Sequence, residues 1–323
     1  MSTGTSATDT FDEFSFLPEQ ARELGGGHPV PSGERVTLTL EDGRALSALR
    51  YGTGSPVVTF LHGAGLNAHT WDTTILALGL PALAIDLPGH GDSSWRSDID
   101  YSPRTLAPDV AAGIAAWTDV PQLLVGQSLG GLTAASIAAS RPELVREVLV
   151  IDITPGIDTS AGPSQLREFF AGPTDWATRE ELVERALAFG LGGSRRAAER
   201  GVYFNSRVRE DGRVEWKHHF AHLAAAALAP ADPSADGETA VEAPAAPPTL
   251  GPTGWEDLSQ VAVPITLVRG DQGYVSRADA EEFARHLPRA AVTTLAAGHN
   301  VQEYAPGELA ALIRAASDDS GNA

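Results

Sequence analysis

The sequence of 323 residues contains no cysteine and no long hydrophobic run. Without cysteine there can be no disulfide, thiolate metal site or cysteine nucleophile, and such a chain fits a reducing compartment. No segment approaches the roughly 20 consecutive apolar residues that a membrane-spanning helix needs. The N-terminal segment lacks the basic start and apolar stretch of a secretory signal. We therefore expect a soluble, cytoplasmic protein.

Positive charge is also scarce. The chain has 23 lysines and arginines against 42 aspartates and glutamates, which gives a net charge of −19. A surface of this sign repels nucleic acids and anionic membranes, so we expect neither as a partner. Hydrophobic residues make up 42% of the chain, enough for a globular protein with a substantial core, as one large domain with an insertion or as two domains.

Strand-like and helix-like segments alternate along most of the chain. In residues 34–154 and 255–318, near-continuous apolar strands alternate with helices, which predicts a mostly parallel, doubly wound α/β sheet. Residues 155–254 break this pattern and predict an inserted, mainly helical cap. Its stretch 229–254, rich in alanine and proline, predicts a flexible linker. Residues 1–33 predict a polar, acidic arm with one short helix.

The most informative stretch is GQSLG, Gly126 to Gly130, which lies between an apolar strand and a helix of small residues. It fits the pattern G-x-S-x-G in its required strand–turn–helix context. A serine at such a sharp turn has strained backbone angles, so its neighbours must lack clashing side chains. The turn would present the hydroxyl of Ser128 at the carboxyl end of the sheet, where ligands bind in open α/β sheets. We therefore predict Ser128 to be a nucleophile.

Three other stretches support this interpretation: FLHGAGLNAHTW (60–71), AIDLPGHGDSS (84–94) and GHNVQ (298–302). Together with GQSLG they resemble the α/β-hydrolase superfamily. The resemblance covers roughly residues 35–154 and 255–318. It implies the α/β-hydrolase fold, a serine–histidine–acid triad and an oxyanion loop after the third strand.

A serine hydroxyl reacts only when a base takes its proton, and His299 is the best candidate. The imidazole in turn needs a carboxylate. In many relatives the acid lies three residues beyond a glycine that ends the seventh strand, where this sequence has Gly273, with Asp271 nearby. We favour Asp152, which directly follows the buried strand beside the elbow, because a carboxylate there needs a partner. Asp271 remains the alternative.

The oxyanion hole should consist of backbone N–H groups, those of Leu129 and Ala64. Gly63 lets the substrate approach the backbone closely, and His219 and Trp216 of the cap are candidate substrate contacts. Another histidine, His69, is read as a surface or helix position. The sequence shows no metal-ligand cluster, P-loop or dinucleotide fingerprint, so we expect neither a metal nor a cofactor.

These features predict a serine hydrolase that cleaves a small or medium apolar carboxylic ester or lactone through an acyl-enzyme. The cap would exclude large polymers. One alternative is a carbon–carbon bond hydrolase or a perhydrolase-like enzyme with the same triad. A second alternative is a non-catalytic small-molecule receptor. The acidic arm could cover the core or make the contacts of a homodimer, and the sequence leaves both open.

Overall fold

The computed structural model describes residues 12–157, 169, 172–189, 193–228 and 253–318. The strands in these residues, in chain order, are β1 (Gly33–Thr39), β2 (Ala45–Tyr51), β3 (Val58–Leu61), β4 (Ala82–Asp86), β5 (Gln122–Gln127), β6 (Val145–Ile151), β7 (Asp175–Trp176), β8 (Ser206–Val208), β9 (Val214–Trp216), β10 (Ile265–Gly270) and β11 (Ala291–Leu295). Eight of them form one sheet in the order β1-β2-β4-β3-β5-β6-β10-β11. Strand β2 runs antiparallel to β1 and β4, and the other pairs are parallel. The predicted mostly parallel sheet is confirmed.

Helices cover both faces of this sheet. The α-helices with bounds in the described ranges are, in chain order, α1 (Leu17–Glu23), α2 (Asp72–Leu78), α3 (Pro103–Trp117), α4 (Leu129–Ser140), α5 (Arg179–Ala188), α6 (Arg195–Asn205), α7 (His219–Leu228), α8 (Thr253–Gln260), α9 (Arg277–His286), α10 (Val301–Tyr304) and α11 (Pro306–Asp318). Short 3₁₀ helices lie at Glu13–Phe16, Ala68–Trp71 and Pro142–Leu144. Helices α1, α2 and α11 pack on one face. Helices α3, α4, α8 and α9 pack on the other.

The central strands are apolar almost throughout because both of their faces are covered. Every residue of β3, β4 and β5 is buried. The carboxyl ends of β5, β6 and β10 are neighbours at one edge of the sheet. Loops that follow these strands therefore meet at one place.

The described part of the N-terminal arm packs against the rest of the molecule. Leu17 of α1 is 1% exposed and belongs to the core that also contains α2 and α11. Helix α1 ends before Gly25, which has a positive φ of 99°. Residues 1–11 of the predicted arm lie outside the described residues.

The cap has a small core of its own. Strands β7, β9 and β8 form a three-stranded antiparallel sheet, and a turn at Asp211-Gly212 connects β8 to β9. Trp176 and Trp216 pack in this core against α5 and α6. Of the predicted linker 229–254, residues 229–252 lie outside the described residues. The domain boundaries and the flexibility of the linker stay predictions.

No helix in the described ranges is both long and apolar enough to cross a membrane.

Candidate active site

Ser128 occupies the sharp turn between β5 and α4. Its backbone has φ 53° and ψ −120°, in the left-handed half of conformational space, which a residue with a side chain adopts only under strain. The surrounding segments leave no room for side chains. A Cβ on Gly126 would lie 2.3 Å from the carbonyl oxygen of Gly130, and one on Gly130 would lie 2.2 Å from that of Leu61. The two glycines therefore permit the close contact of strand and helix that holds Ser128 at the turn.

His299 lies in the loop between β11 and α10 and pairs with Asp152. The distance from His299 Nδ1 to Asp152 Oδ2 is 2.8 Å. The Asp152 side chain is completely buried, whereas 16% of the His299 side-chain surface is exposed. Within the described ranges, Ser128 Oγ donates no hydrogen bond and His299 Nε2 has no partner. Such contacts are often long in enzymes without substrate.

The loop after β10 surrounds the carboxylate of Asp152 with backbone donors. The N–H groups of Gly270, Tyr274 and Val275 donate to it over 3.1, 2.6 and 3.4 Å. These donors and His299 together satisfy a buried charge that would otherwise be costly. The carboxylate that pairs with His299 thus directly follows β6, and the loop after β10 donates hydrogen bonds to it.

Gly273 occupies the position that many relatives give to the acid. A Cβ built there would lie 2.3 Å from both carboxylate oxygens of Asp152. The carboxylate therefore fills the space that a side chain at residue 273 would need. The alternative candidate, Asp271, has another partner, because its Oδ1 accepts a hydrogen bond from the Ala297 N–H at 3.1 Å.

The loop after β3 brings Gly63 and Ala64 to the elbow. A Cβ on Gly63 would lie 2.1 Å from Gln127 Oε1 and 3.2 Å from Ser128 Cβ, so only glycine allows this approach. Among the described residues, neither the Ala64 nor the Leu129 N–H donates a hydrogen bond. Both predicted oxyanion donors are therefore free to bind a ligand.

His62 fixes the direction of the Ala64 N–H. The Leu87 N–H donates to His62 Nε2 at 3.0 Å, which places the imidazole proton on Nδ1. That Nδ1–H donates to the carbonyl oxygen of Gly63 at 2.8 Å. Burial lowers the pKa of His62 and keeps it neutral for both bonds. Because C=O and N–H point in opposite directions across a trans peptide, holding the Gly63 carbonyl also aims the Ala64 N–H.

The two predicted cap contacts lie in different environments. His219 joins the cap to the core, since its Nδ1 and the Tyr101 hydroxyl share a hydrogen bond of 2.7 Å. Its ring stacks on Trp95 at 4.4 Å. Burial lowers the pKa of His219 to about 4. Trp216 is 3% exposed and packs beside Trp176 inside the cap. Substrate contact by His219 or Trp216 stays a prediction.

Sequence reasoning missed two residues at this site. Gln127, the residue before the serine, is buried and donates from Nε2 to the carbonyl oxygen of His299 at 3.3 Å. Tyr274 stacks on the imidazole of His299, with ring centroids 3.7 Å apart. Their positions in the sequence were the only signals. Gln127 lies in the elbow motif, and Tyr274 follows Gly273, where the resemblance to the family would place an acid.

The sheet order, the strained serine and the histidine–aspartate pair at one edge of the sheet define an enzyme of the α/β-hydrolase fold. The sequence model of the alpha/beta hydrolase family matches residues 60–312. The chain belongs to this family, and the predicted hydrolase class and superfamily are confirmed.

Comparison with known proteins finds a relative over nearly the whole length. Esterase Rv0045c of Mycobacterium tuberculosis is 34% identical over 317 residues, which cover 95% of this chain and 96% of that protein. A solved structure of this M. tuberculosis esterase superposes with a TM-score of 0.77 at 33% identity, covering 96% of this chain and 99% of that one. The structure of E-2-(acetamidomethylene)succinate hydrolase, at 23% identity, has a TM-score of 0.70 over 87% of this chain and 98% of that one, and supports the fold alone.

Proposed function

We propose that this chain is a carboxylic ester hydrolase that works through an acyl-enzyme on Ser128. The observation that carries the proposal is the buried Asp152–His299 pair, 2.8 Å apart, on the strand and loop beside the strained elbow. The similarity to the M. tuberculosis esterase over 95% of the chain supports an ester as the substrate.

In the proposed mechanism His299 Nε2 takes the proton of Ser128 Oγ as the oxygen attacks the ester carbonyl. Asp152 keeps the remaining imidazole proton on Nδ1 and stabilises the imidazolium that forms. The N–H groups of Ala64 and Leu129 bind the oxyanion of the tetrahedral intermediate. His299 then protonates the leaving alcohol, and the acyl group stays on Ser128.

Water completes the proposed cycle. His299 removes a proton from a water molecule as that molecule attacks the acyl-enzyme, and then returns the proton to Ser128 when the acid product leaves. We propose that the substrate is a small or medium apolar ester or lactone, because a cap covers the core. His219, Trp216 and Gly63 remain the proposed substrate contacts.

The test combines covalent labelling with a substrate panel. A fluorophosphonate probe should label wild-type protein on Ser128. Ser128→Ala should lose labelling and on the order of 10⁴- to 10⁶-fold in kcat for esters, with an unchanged unfolding midpoint. Ser259→Ala is the matched control, because Ser259 is an exposed serine of α8. Retained turnover in Ser128→Ala would rule out the proposed nucleophile.

The panel should contain esters and lactones of several chain lengths, amides and vinylogous diketones. Turnover of the esters or lactones supports the proposal. Turnover of the diketones alone would favour the carbon–carbon bond hydrolase. A folded protein that neither reacts with the probe nor turns over any substrate would favour the receptor.

A further inference from the structure

Tyr274 lies in the loop between β10 and α9, and its backbone is fixed by the acid of the site. Its N–H donates to Asp152 Oδ2 at 2.6 Å, the same oxygen that pairs with His299 Nδ1 at 2.8 Å. One carboxylate oxygen therefore sets the positions of both residues relative to each other.

The ring of Tyr274 lies flat on the imidazole of His299. The ring centroids are 3.7 Å apart and the planes differ by 12°. This stack covers one whole face of the imidazole. Asp152 holds the Nδ1 edge of the imidazole and Tyr274 holds one face, so rotation of the imidazole about its bond to Cβ would break both contacts.

The stack also has an electrostatic consequence. The π face of an aromatic ring attracts a cation more strongly than a neutral group. Burial raises the pKa of the Tyr274 phenol, so the ring remains neutral at assay pH. The attraction therefore grows when His299 becomes an imidazolium, as it does while Ser128 attacks. An interaction that strengthens in the transition state raises kcat more than it changes substrate binding.

The same arrangement occurs at a second histidine of the chain. The ring of Phe204 stacks on His69 with centroids 3.7 Å apart and planes 13° from parallel. His69 Nδ1 also pairs with an aspartate, Asp72, over 3.0 Å. An aromatic face over an aspartate-bound imidazole is therefore present twice, once with phenylalanine, which shows that the geometry does not depend on a hydroxyl.

We infer that Tyr274 is a positioning residue of the proposed hydrolytic site: its ring holds the imidazole of His299 in line with Asp152 and favours the imidazolium that forms during catalysis. The inference rests on the proposed function. The Glu303 carboxylate of α10 also interacts electrostatically with His299. It is present in every variant below, so its effect cancels in the comparison.

The test compares Tyr274→Phe, which keeps the ring, with Tyr274→Leu and Tyr274→Met, which remove it. The ring-free variants should lose about 10-fold in kcat with KM within twofold of wild type. Tyr274→Phe should keep kcat within about threefold of the wild-type value, because it retains the aromatic ring.

Several outcomes would overturn the inference. They are unchanged kinetics in the folded ring-free variants, a loss that appears in KM and not in kcat, and a Tyr274→Phe variant as impaired as Tyr274→Leu. Circular dichroism checks folding, and failure of both ring-free variants to fold would make the ring a packing residue only. Ser128→Ala is measured in parallel. If it retains turnover, the proposed function fails, whereas an inactive Ser128→Ala beside an unaffected Tyr274→Leu rejects only the role of Tyr274.

Discussion

Two histidines in this molecule, His299 and His69, have similar partners at Nδ1 and on one ring face but different surroundings at Nε2. His299 and His69 each pair through Nδ1 with an aspartate, over 2.8 and 3.0 Å, and each lies under an aromatic ring at 3.7 Å. They differ at Nε2. His69 Nε2 contacts the Glu13 carboxylate at 3.2 Å, whereas that of His299 has no partner among the described residues.

This difference separates a structural cation from a candidate base. Burial alone would lower the pKa of His69, but the carboxylates of Asp72 and Glu13 outweigh it and raise the pKa to about 9. Burial would raise the pKa of Glu13, yet hydrogen bonds from His69 and Arg35 lower it to about 2. An imidazole held between two carboxylates has no free nitrogen with which to accept a proton. The same pair becomes useful for catalysis only where Nε2 stays open.

The position of His69 also explains how the arm, core and cap are joined. Glu13 belongs to the N-terminal arm, Asp72 to the core and Phe204 to the cap helix α6. Farther along the arm, the Glu23 carboxylate receives two hydrogen bonds from Arg200 of the same cap helix, at 3.0 and 2.8 Å. The described part of the arm therefore packs against its own core and cap. A homodimer formed through the arm stays a prediction.

The largest expected effect comes from neutralising Asp152, the partner of His299. Asp152→Asn should lower kcat about 10⁴-fold, because an amide no longer keeps the imidazole proton on Nδ1. Asp271→Asn is the matched control and should stay within about tenfold of wild type. Steady-state ester hydrolysis measures both. A larger loss of kcat in Asp271→Asn than in Asp152→Asn would mean that Asp271, and not Asp152, is the acid.

The corresponding change at Asp72, the partner of His69, should lower the stability of the fold and leave catalysis intact. Asp72→Asn removes one partner of a buried pair and should lower the free energy of unfolding by about 3 kcal/mol or more, with kcat within a few-fold. Urea denaturation measures the loss. Asp42→Asn, in an exposed pair with Arg44, should leave the urea midpoint unchanged. A large fall in kcat for folded Asp72→Asn would mean that the two histidines are not functionally distinct.

The pH dependence of stability offers a further test of the structural role of His69. The folded pKa of His69 is raised from 6.5 to about 9, so its stabilisation is complete below pH 6.5 and is lost as the pH rises through 9. The loss should be on the order of 3 kcal/mol. Urea denaturation at pH 6.5 and 9 should show this decrease in wild type and a smaller one in His69→Gln. Equal decreases in both proteins would contradict the assignment.

The smallest expected effect is a partial rescue of kcat by moving the acid that faces His299. Asp152→Gly empties the carboxylate site and suits the positive φ of 49° at this residue. Adding Gly273→Asp places a carboxylate where a Cβ already lies 2.3 Å from the original one. The double variant should regain about 10- to 100-fold in kcat over Asp152→Gly. Esterase assays of both variants check this. Absence of rescue would mean that the loop after β10 cannot orient an acid toward His299.

Much of the fold could be predicted from local patterns. The apolar runs of β3, β4 and β5 identify strands covered on both faces, because only such strands lack polar alternation. The glycines of GQSLG mark a turn at which side chains cannot fit, and the structure has strained angles at Ser128. The candidate nucleophile, base and favoured acid are brought to one edge of the sheet, and their catalytic roles stay predictions.

Sequence reasoning failed where a role depends on contacts between distant segments. His69 was predicted to be a surface or helix position. It lies in a 3₁₀ helix, but it is buried because the arm and the cap converge on it. Tyr274 gave no local signal apart from its place next to Gly273, since its proposed role comes from a stack with a residue 25 positions away in the chain.

The sequence alone determined the alternation of strands and helices, the elbow and the candidate histidine, since spacing and residue type encode these directly. The sequence favoured Asp152 and left Asp271 as the alternative, and only the tertiary structure shows that Asp152 is the partner of His299. Both aspartates follow strands at the same edge of the sheet, so the distinction depends on where the carboxylates point. The loop after β10 surrounds the Asp152 carboxylate with backbone N–H groups, whereas Asp271 accepts a hydrogen bond from Ala297. The spacing of residues along the chain does not encode this geometry.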